Sequence, residues 1–415
     1  MKNLNIFSVT VSSIIPLLIL GPLFPDLIVC LLSLVFLFYV FKYKLFFYFT
    51  KKPIILFFIF CAYCILVSIF VAKDVLLSFE SSLFYFRIGV FSCLIWYLLE
   101  KNTKILEYFY YSFLASFSVL IVDGYVQFFT GYNTIGIQVS GIRVSSFFVD
   151  ELIMGSYLSR LYPMAFALLL LKRQNNKIEL SLITIFFFLT SGLIYISGER
   201  TALFFHVLSV TFITLLIKKL KLLRCFIFIG LFAITAILSL QNNDLKKRML
   251  ISSFESIGIN KETKYIFSQG HNDLVVGAYK MFLDKPVFGH GPKMFREICK
   301  DKKYSSGVSH CSTHPHNFYI QLLAETGIIG FMFLFSVFIY VIYCALRQIK
   351  TIVLKEKRYL TDYQVCLLAS LLITVWPLSP NGNFFNNWLA ICYSLPFGFY
   401  LHSIYGKNRR DQLKE

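Results

Sequence analysis

Charge is scarce in this chain. Only 15% of its 415 residues are Asp, Glu, Lys or Arg, against 57% apolar residues and a mean hydropathy of +0.69, a balance that excludes a string of soluble domains. The charge that is present leans one way, 40 Lys and Arg against 22 Asp and Glu. Such a surplus can signal nucleic-acid binding, but here the basic residues are dispersed over many short segments and form no recognition motif, so no nucleic-acid partner is expected. Internal repeats are missing, which counts against a transporter built from paired halves. The first apolar run opens on Lys2 like a signal peptide. It lacks a small-residue cleavage site and runs on through Gly21-Pro22 into a second apolar stretch, so a spanning helix is expected.

What the chain does have is apolar runs near the length a helix needs to cross about 30 Å of hydrocarbon. Twelve are found, near 6–24, 27–41, 53–72, 82–99, 109–129, 151–171, 178–197, 200–217, 223–240, 326–346, 362–378 and 384–403. The expected fold is therefore an all-α membrane protein of about 12 transmembrane helices, with one large helical periplasmic loop between helices 9 and 10. This divides the chain into 1–240 (helices 1–9), 241–316 (the loop) and 317–415 (helices 10–12 and a tail). Basic residues set the orientation. With both termini cytoplasmic, the inner segments hold 23 Lys and Arg and the short outer loops only Lys73, Arg143 and Arg200. The long loop is exempt from that rule and lies outside, in the periplasm of a cell with two membranes. Within it, apolar spacing at Leu274, Ala278, Met281 and Phe282 predicts a helix over 273–283, stopped at Asp284-Lys285-Pro286.

Eight of the ten cysteines sit in or beside apolar runs, where they act as small hydrophobes. Cys299 and Cys311 lie in the outer loop and are a disulfide candidate, the alternative being two free thiols. Ionisable residues inside spans are costly and usually face a cavity. Arg87, Asp123 and Arg160 fall in the outer half of their helices, and Glu151, Glu199 and Arg200 at outer ends, so a polar cavity open to the outside is expected. An Arg87–Asp123 ion pair is the alternative for those two. Arg200 opens a helix in Ser197-Gly198-Glu199-Arg200, and its guanidinium presents the planar fork of donors that suits phosphate oxygens. The alternative is an interfacial anchor paired with Glu199.

The densest chemistry is His314-Pro315-His316-Asn317, followed after nine residues by Gly327-Ile328-Ile329-Gly330. Pro315 suits the first position of a helix, which would put His316 at the second, where the helix dipole disfavours imidazolium and draws anions. A neutral His beside an anionic substrate is what a general base acting on a sugar hydroxyl requires. A metal site at His310, Cys311, His314 and His316 is the rival, but the spacing matches no zinc signature, and neither a metal nor a cofactor is expected.

At these residues the chain resembles the O-antigen ligase and polymerase superfamily of bacterial polytopic membrane proteins. The signature of His-Asn, nine residues and Gly-x-x-Gly is carried by His316-Asn317, Phe318 to Thr326, and Gly327 to Gly330. Weaker matches are Arg200 with Ala202-Leu203, the passage Lys280 to Gly291 with its Pro286 and Gly289-His290-Gly291, and Arg143 to Phe148 with Gly155-Ser156-Tyr157-Leu158. The resemblance implies a metal-independent, inverting glycosyltransferase of the inner membrane that moves a glycan from undecaprenyl diphosphate. In a ligase the acceptor is lipid A-core, as in lipopolysaccharide biosynthesis; a polymerase or a protein O-oligosaccharyltransferase would share the chemistry. It implies that His316 and Arg200 are catalytic, with Arg143, His314, Asn317, Arg87, Arg160 and His271 as substrate-binding candidates. The resemblance implies a further Arg in the loop of a ligase, at the position of His271 or Asn272; the chain departs from the family there, and Arg143, Arg248 and Arg296 are the candidate substitutes.

Overall fold

The computed structural model describes residues 4–171, 177–256, 268–307 and 309–406. Part of the expected outer loop, 257–267 and 308, and the basic residues at 172–176 and 407–415 used for orientation lie outside them. Helix makes up 77% of the structure and no strand occurs among the described residues, so the fold is all-α. Fourteen helices of eight or more residues are described: α1 Leu4–Ser12, α2 Leu23–Tyr43, α3 Lys52–Phe70, α4 Val75–Ser82, α5 Arg87–Lys101, α6 Ile105–Thr130, α7 Met154–Leu171, α8 Lys177–Ile196, α9 Arg200–Leu216, α10 Lys221–Gln241, α11 Gln269–Asp284, α12 Phe318–Val353, α13 Asp362–Thr374 and α14 Asn387–Tyr405. Each expected apolar run falls on one of them. Eight helical segments are long and apolar enough to cross a membrane, including α4 with α5 taken together, α7 and α12. The first run is interrupted at Ser13, and the fourth is split by the turn at 83–86, so that Arg87 begins α5 instead of lying inside a longer helix.

Local sequence sets the helix ends. Asp74, Asn317 and Asn386 each turn a side-chain oxygen onto the first free amides of α4, α12 and α14. Thr361 and Gln364 form a reciprocal capping box on α13. At one end of the bundle, the basic connections are closed by polar contacts: Asp362 accepts the Lys218 and Lys219 amides, and Arg358 and Gln348 donate to the Leu216 carbonyl. The long loop sits at the other end. It builds its own small core from Leu274, Ala278, Met281, Phe295 and Tyr304, against Ala324 of α12. Its helix α11 ends at Asp284, where the Asp-Lys-Pro stop was expected.

The feature that locks loop to bundle is a break in α12 at Gly327, where φ is 63° and ψ −166°. Three backbone hydrogen bonds cross there: the His290 amide to Ala324 O at 3.0 Å, Gly291 to Glu325 O at 2.7 Å, and Ile328 to Pro286 O at 2.9 Å. Tyr63 of α3 donates to the Thr326 carbonyl at 2.7 Å, so the acceptors released by the break are used. The approach leaves no room for side chains. A Cβ on Gly327 would meet the Val287 carbonyl, and one on Gly289 would come within 2.6 Å of the Thr326 and Gly327 amides. The Pro286 to Gly291 passage and the Gly-x-x-Gly are thus two halves of one joint. Gly327→Ala is expected to lower stability by at least about 1–3 kcal/mol, since that backbone conformation is essentially confined to glycine. Gly270→Ala, in a helix with only ordinary contacts near 3.6 Å, should be neutral or stabilising. Thermal unfolding of the two variants in detergent checks this, and equal melting temperatures would overturn the role given to Gly327.

Candidate active site

The helix does not start where the sequence pattern placed it. Asn317 caps α12, its Oδ1 accepting from the Tyr319 and Ile320 amides at 3.0 and 3.1 Å. Pro315 and His316 therefore lie ahead of the helix, and His316 takes a left-handed backbone with φ 54°. The physical reason is that Asn is among the strongest N-caps, while this one is also held from outside: its Nδ2 donates to the Pro377 and Ser379 carbonyls at 2.8 and 3.2 Å. All four hydrogen-bonding places of the Asn317 side chain are filled by the chain itself. His316 in turn accepts the Asn381 amide on its carbonyl at 2.6 Å. A non-glycine residue in this conformation costs of order 1–3 kcal/mol and persists only where its surroundings hold it, as the loop between α13 and α14 does here.

Three imidazoles meet at this point. The His316 ring lies 4.1 Å from that of His314 and 5.4 Å, edge to face, from that of His271. His271 stands in the first turn of α11, its Nδ1 2.6 Å from Ser268 Oγ. Burial holds His316 below the ordinary imidazole range, with the Asn381 backbone opposing it. Burial, then His316 and Arg200, lower His271. His314 is pushed down to about 3, by burial first, with His316, Arg296 and His271 adding repulsion. In all three rings burial is the first cause that disfavours the imidazolium form, and His316 lies ahead of the helix start where the sequence pattern had placed it.

The arginines gather beside them around one turn. Arg143 donates to the Ser197 and Leu152 carbonyls at 3.3 and 2.8 Å, and Arg248 to the Gly198 carbonyl at 2.8 Å. Arg200, the next residue but one, donates to the Ser252 carbonyl at 3.1 Å. Gly198 has φ +69°, and a Cβ there would press on Arg143 at 2.8 Å and Arg248 at 3.3 Å. Burial and Arg248 lower the Arg143 pKa, while Glu199 raises it. Glu199 does not pair with Arg200. Its carboxylate accepts the Gly155 amide at 2.6 Å and the Ser156 hydroxyl at 2.5 Å, capping α7. Arg248 lies in a π-helical turn, Lys247–Ile251, a distortion often found at functional sites.

The remaining ionisable candidates separate. Arg160 donates to Asn381 Oδ1 at 2.5 Å and lies over the Phe205 ring, so it reaches His316 through Asn381. Arg87 is engaged by Asp26 at 2.7 Å and by Asn387 at 2.9 Å, not by Asp123. Asp123 instead gathers Thr134, Ser146 and Asn133, which fixes the loop carrying Arg143. Cys299 and Cys311 form a disulfide with Cα atoms 5.2 Å apart, which removes Cys311 from any metal set with the neighbouring histidines. Asn381 and Ser379 were not singled out from sequence, although the polar Ser-Pro-Asn-Gly-Asn stretch between two apolar runs was a signal for them. Arg160 Nε, Asn381 Nδ2, Ser379 Oγ, Arg296 Nε and His314 Nε2 are buried without a protein partner. Polar atoms left so cost free energy unless another molecule satisfies them, as expected of a binding site.

Residues 185–335 match the family model described as O-Antigen ligase. The matched stretch contains Arg200, Arg248, His271, the disulfide, His316 and the Gly327 joint; Arg87, Arg143, Arg160 and the Asn381 loop lie outside it. No curated protein matches the chain. The two functions given to Asn317 separate by substitution. Asn317→Asp keeps the cap oxygen but loses the donors to Pro377 and Ser379, so backbone hydrogen exchange should rise over 377–383 while the start of α12 stays protected. Asn317→Ala should expose both, at a capping cost of about 1 kcal/mol. Unchanged exchange over 377–383 in Asn317→Asp would contradict the assignment.

Proposed function

We propose, from the match of residues 185–335 to the O-antigen ligase family model, that this multi-pass membrane protein transfers a glycan from undecaprenyl diphosphate to a sugar hydroxyl on lipid A-core. The observation that carries the reading is the His316 ring packed beside those of His314 and His271, with Arg200 near His271 and the guanidinium groups of Arg143 and Arg248 converging on the turn before Arg200. His316 takes the proton of the acceptor hydroxyl as its oxygen attacks the anomeric carbon. The bond from that carbon to the diphosphate breaks on the opposite face, so configuration inverts. Arg200, with Arg143 and Arg248 behind it, meets the charge that grows on the departing diphosphate, work suited to guanidinium forks. No further energy source is required, because the diphosphate is itself the leaving group. A correctly placed base contributes about 10²–10⁴ in rate.

The dispersed inner basic residues support an orientation with both termini cytoplasmic, the site facing the periplasm, and the loop 241–316 outside the inner membrane. The nine-residue spacing from Asn317 to Gly327 follows the ligase form of the signature and favours ligase over polymerase. A deletion strain tests this. Loss of the surface polysaccharide with lipid-linked polymer accumulating identifies a ligase, whereas a single repeat on core identifies a polymerase. Re-expression of the wild type should restore the ladder. His316→Ala and Arg200→Ala should reach the membrane in normal amount and restore none of it; full restoration by either removes the assignment.

The acidity of His316 gives a second test. A base acts unprotonated, and its pKa in the folded protein lies below the ordinary 6.5 because the ring is buried. The acid limb of the transfer rate in proteoliposomes should therefore be centred below pH 6.5. An acid limb centred at or above that value would show that the ring is not held neutral by its surroundings.

A further inference from the structure

Helix α11 buries one face, Asp273, Leu274, Gly277, Ala278 and Met281, against the loop core and α12. Beside that face it exposes another. Tyr279 is 47% and Leu283 59% exposed, and the chain continues past Pro286 with Val287 at 47% and Phe288 at 51%. Tyr279 and Leu283, four residues apart, share one side of the helix, and Val287 and Phe288 follow in the turn just beyond its end. Large apolar side chains grouped in this way on an outer loop mark a surface meant to be covered.

Three contacts fix the height of this patch on the bundle. Pro286 accepts the amide of Ile328, where α12 resumes beyond its break with exposed Ile328, Ile329 and Met332. Gly291 abuts Ala72, at the end of α3, where Phe70 is 80% exposed. Lys293 pairs with Glu80 of α4, whose Leu76 is also exposed. α3, α4 with α5, and α12 are long and apolar enough to cross a membrane, so the α11 patch adjoins exposed apolar side chains of three candidate spans. An aromatic residue, aliphatic residues and an exposed Lys285 together are the composition of a segment lying at the membrane–water boundary.

We propose that the Tyr279–Leu283–Val287–Phe288 face is a membrane-surface anchor, seated in the phospholipid leaflet on the side of the active site. α11 carries His271 twelve residues before Leu283, about 18 Å along the axis at ~1.5 Å per residue. Anchoring one end of the helix in lipid sets how far the histidine cluster at its other end stands from the leaflet. A lipid-borne substrate would meet the site at that height.

Leu283→Trp, and independently Tyr279→Trp, place a reporter on the face of the full-length protein in phospholipid vesicles. The parent, with its three tryptophans, supplies the background. The expected result is loss of the added emission in vesicles of lipid brominated on the acyl chain, with no loss on adding aqueous iodide. Quenching by iodide but not by brominated lipid would show a solvated face and overturn the proposal. Shielding from both quenchers would also overturn it, because the cover would then be protein. The measurement requires no catalysis, so it stands or fails separately from the transferase reading.

Discussion

Everything at the candidate site leans on the backbone pairing at Gly327. Two stretches of chain approach so closely there that neither can carry a Cβ, and the hydrogen bonds His290 to Ala324, Gly291 to Glu325 and Ile328 to Pro286 satisfy the groups that the helix break releases. Within a bundle surrounded by lipid, unpaired backbone is expensive, and irregular chain is tolerated only where protein buries it. The joint meets that condition. Tyr63 adds a donor from α3, so the break is tied both to the bundle and to the loop. Phe318 to Thr326 becomes a short helix held at both ends, by the Asn317 cap and by the Gly327 joint.

A cluster of cations beside three histidines would repel itself apart if every group were charged. The structure avoids this in two ways. Burial disfavours the charged form of His314, His316 and His271, so that they add hydrogen-bonding capacity at a lower cost in charge. Carbonyl oxygens of Leu152, Ser197, Gly198 and Ser252 receive the guanidinium groups of Arg143, Arg200 and Arg248, and the Glu199 carboxylate adds a coulombic attraction to Arg143. Glu199, the nearest carboxylate in sequence, is turned to the amides at the start of α7.

Much of this was legible in the residues. Apolar runs gave the helices because length and hydropathy suffice for that, and Asp-Lys-Pro ended α11 where it stands. His314, His316 and Arg200 were singled out because polar chemistry is conspicuous in an apolar chain. The start of α12 was misplaced because Pro315 and Asn317 are both helix-start residues; a cap with four hydrogen bonds outweighs the preference of proline for the first turn. The partner of Arg87 was missed since Asp26 lies 61 residues away in sequence. Asn381 was missed for the same reason. Its contacts to Arg160 and His316 cross between helices, and no periodicity along one element records them.

The nine-residue spacing has a geometric meaning beyond its use as a signature. Nine residues of helix are two and a half turns, about 13.5 Å, between the joint and the cap. Adding or removing one residue would turn the cap by roughly 100° and carry His316 around the axis, away from His271 and from the Asn381 amide that holds it. Asn317 would turn with it and lose Pro377 and Ser379. The joint cannot compensate, because Gly327 is keyed to Pro286 and Val287. A change of spacing therefore breaks either the joint or the site, so the distance between two short motifs carries as much of the chemistry as the residues within them.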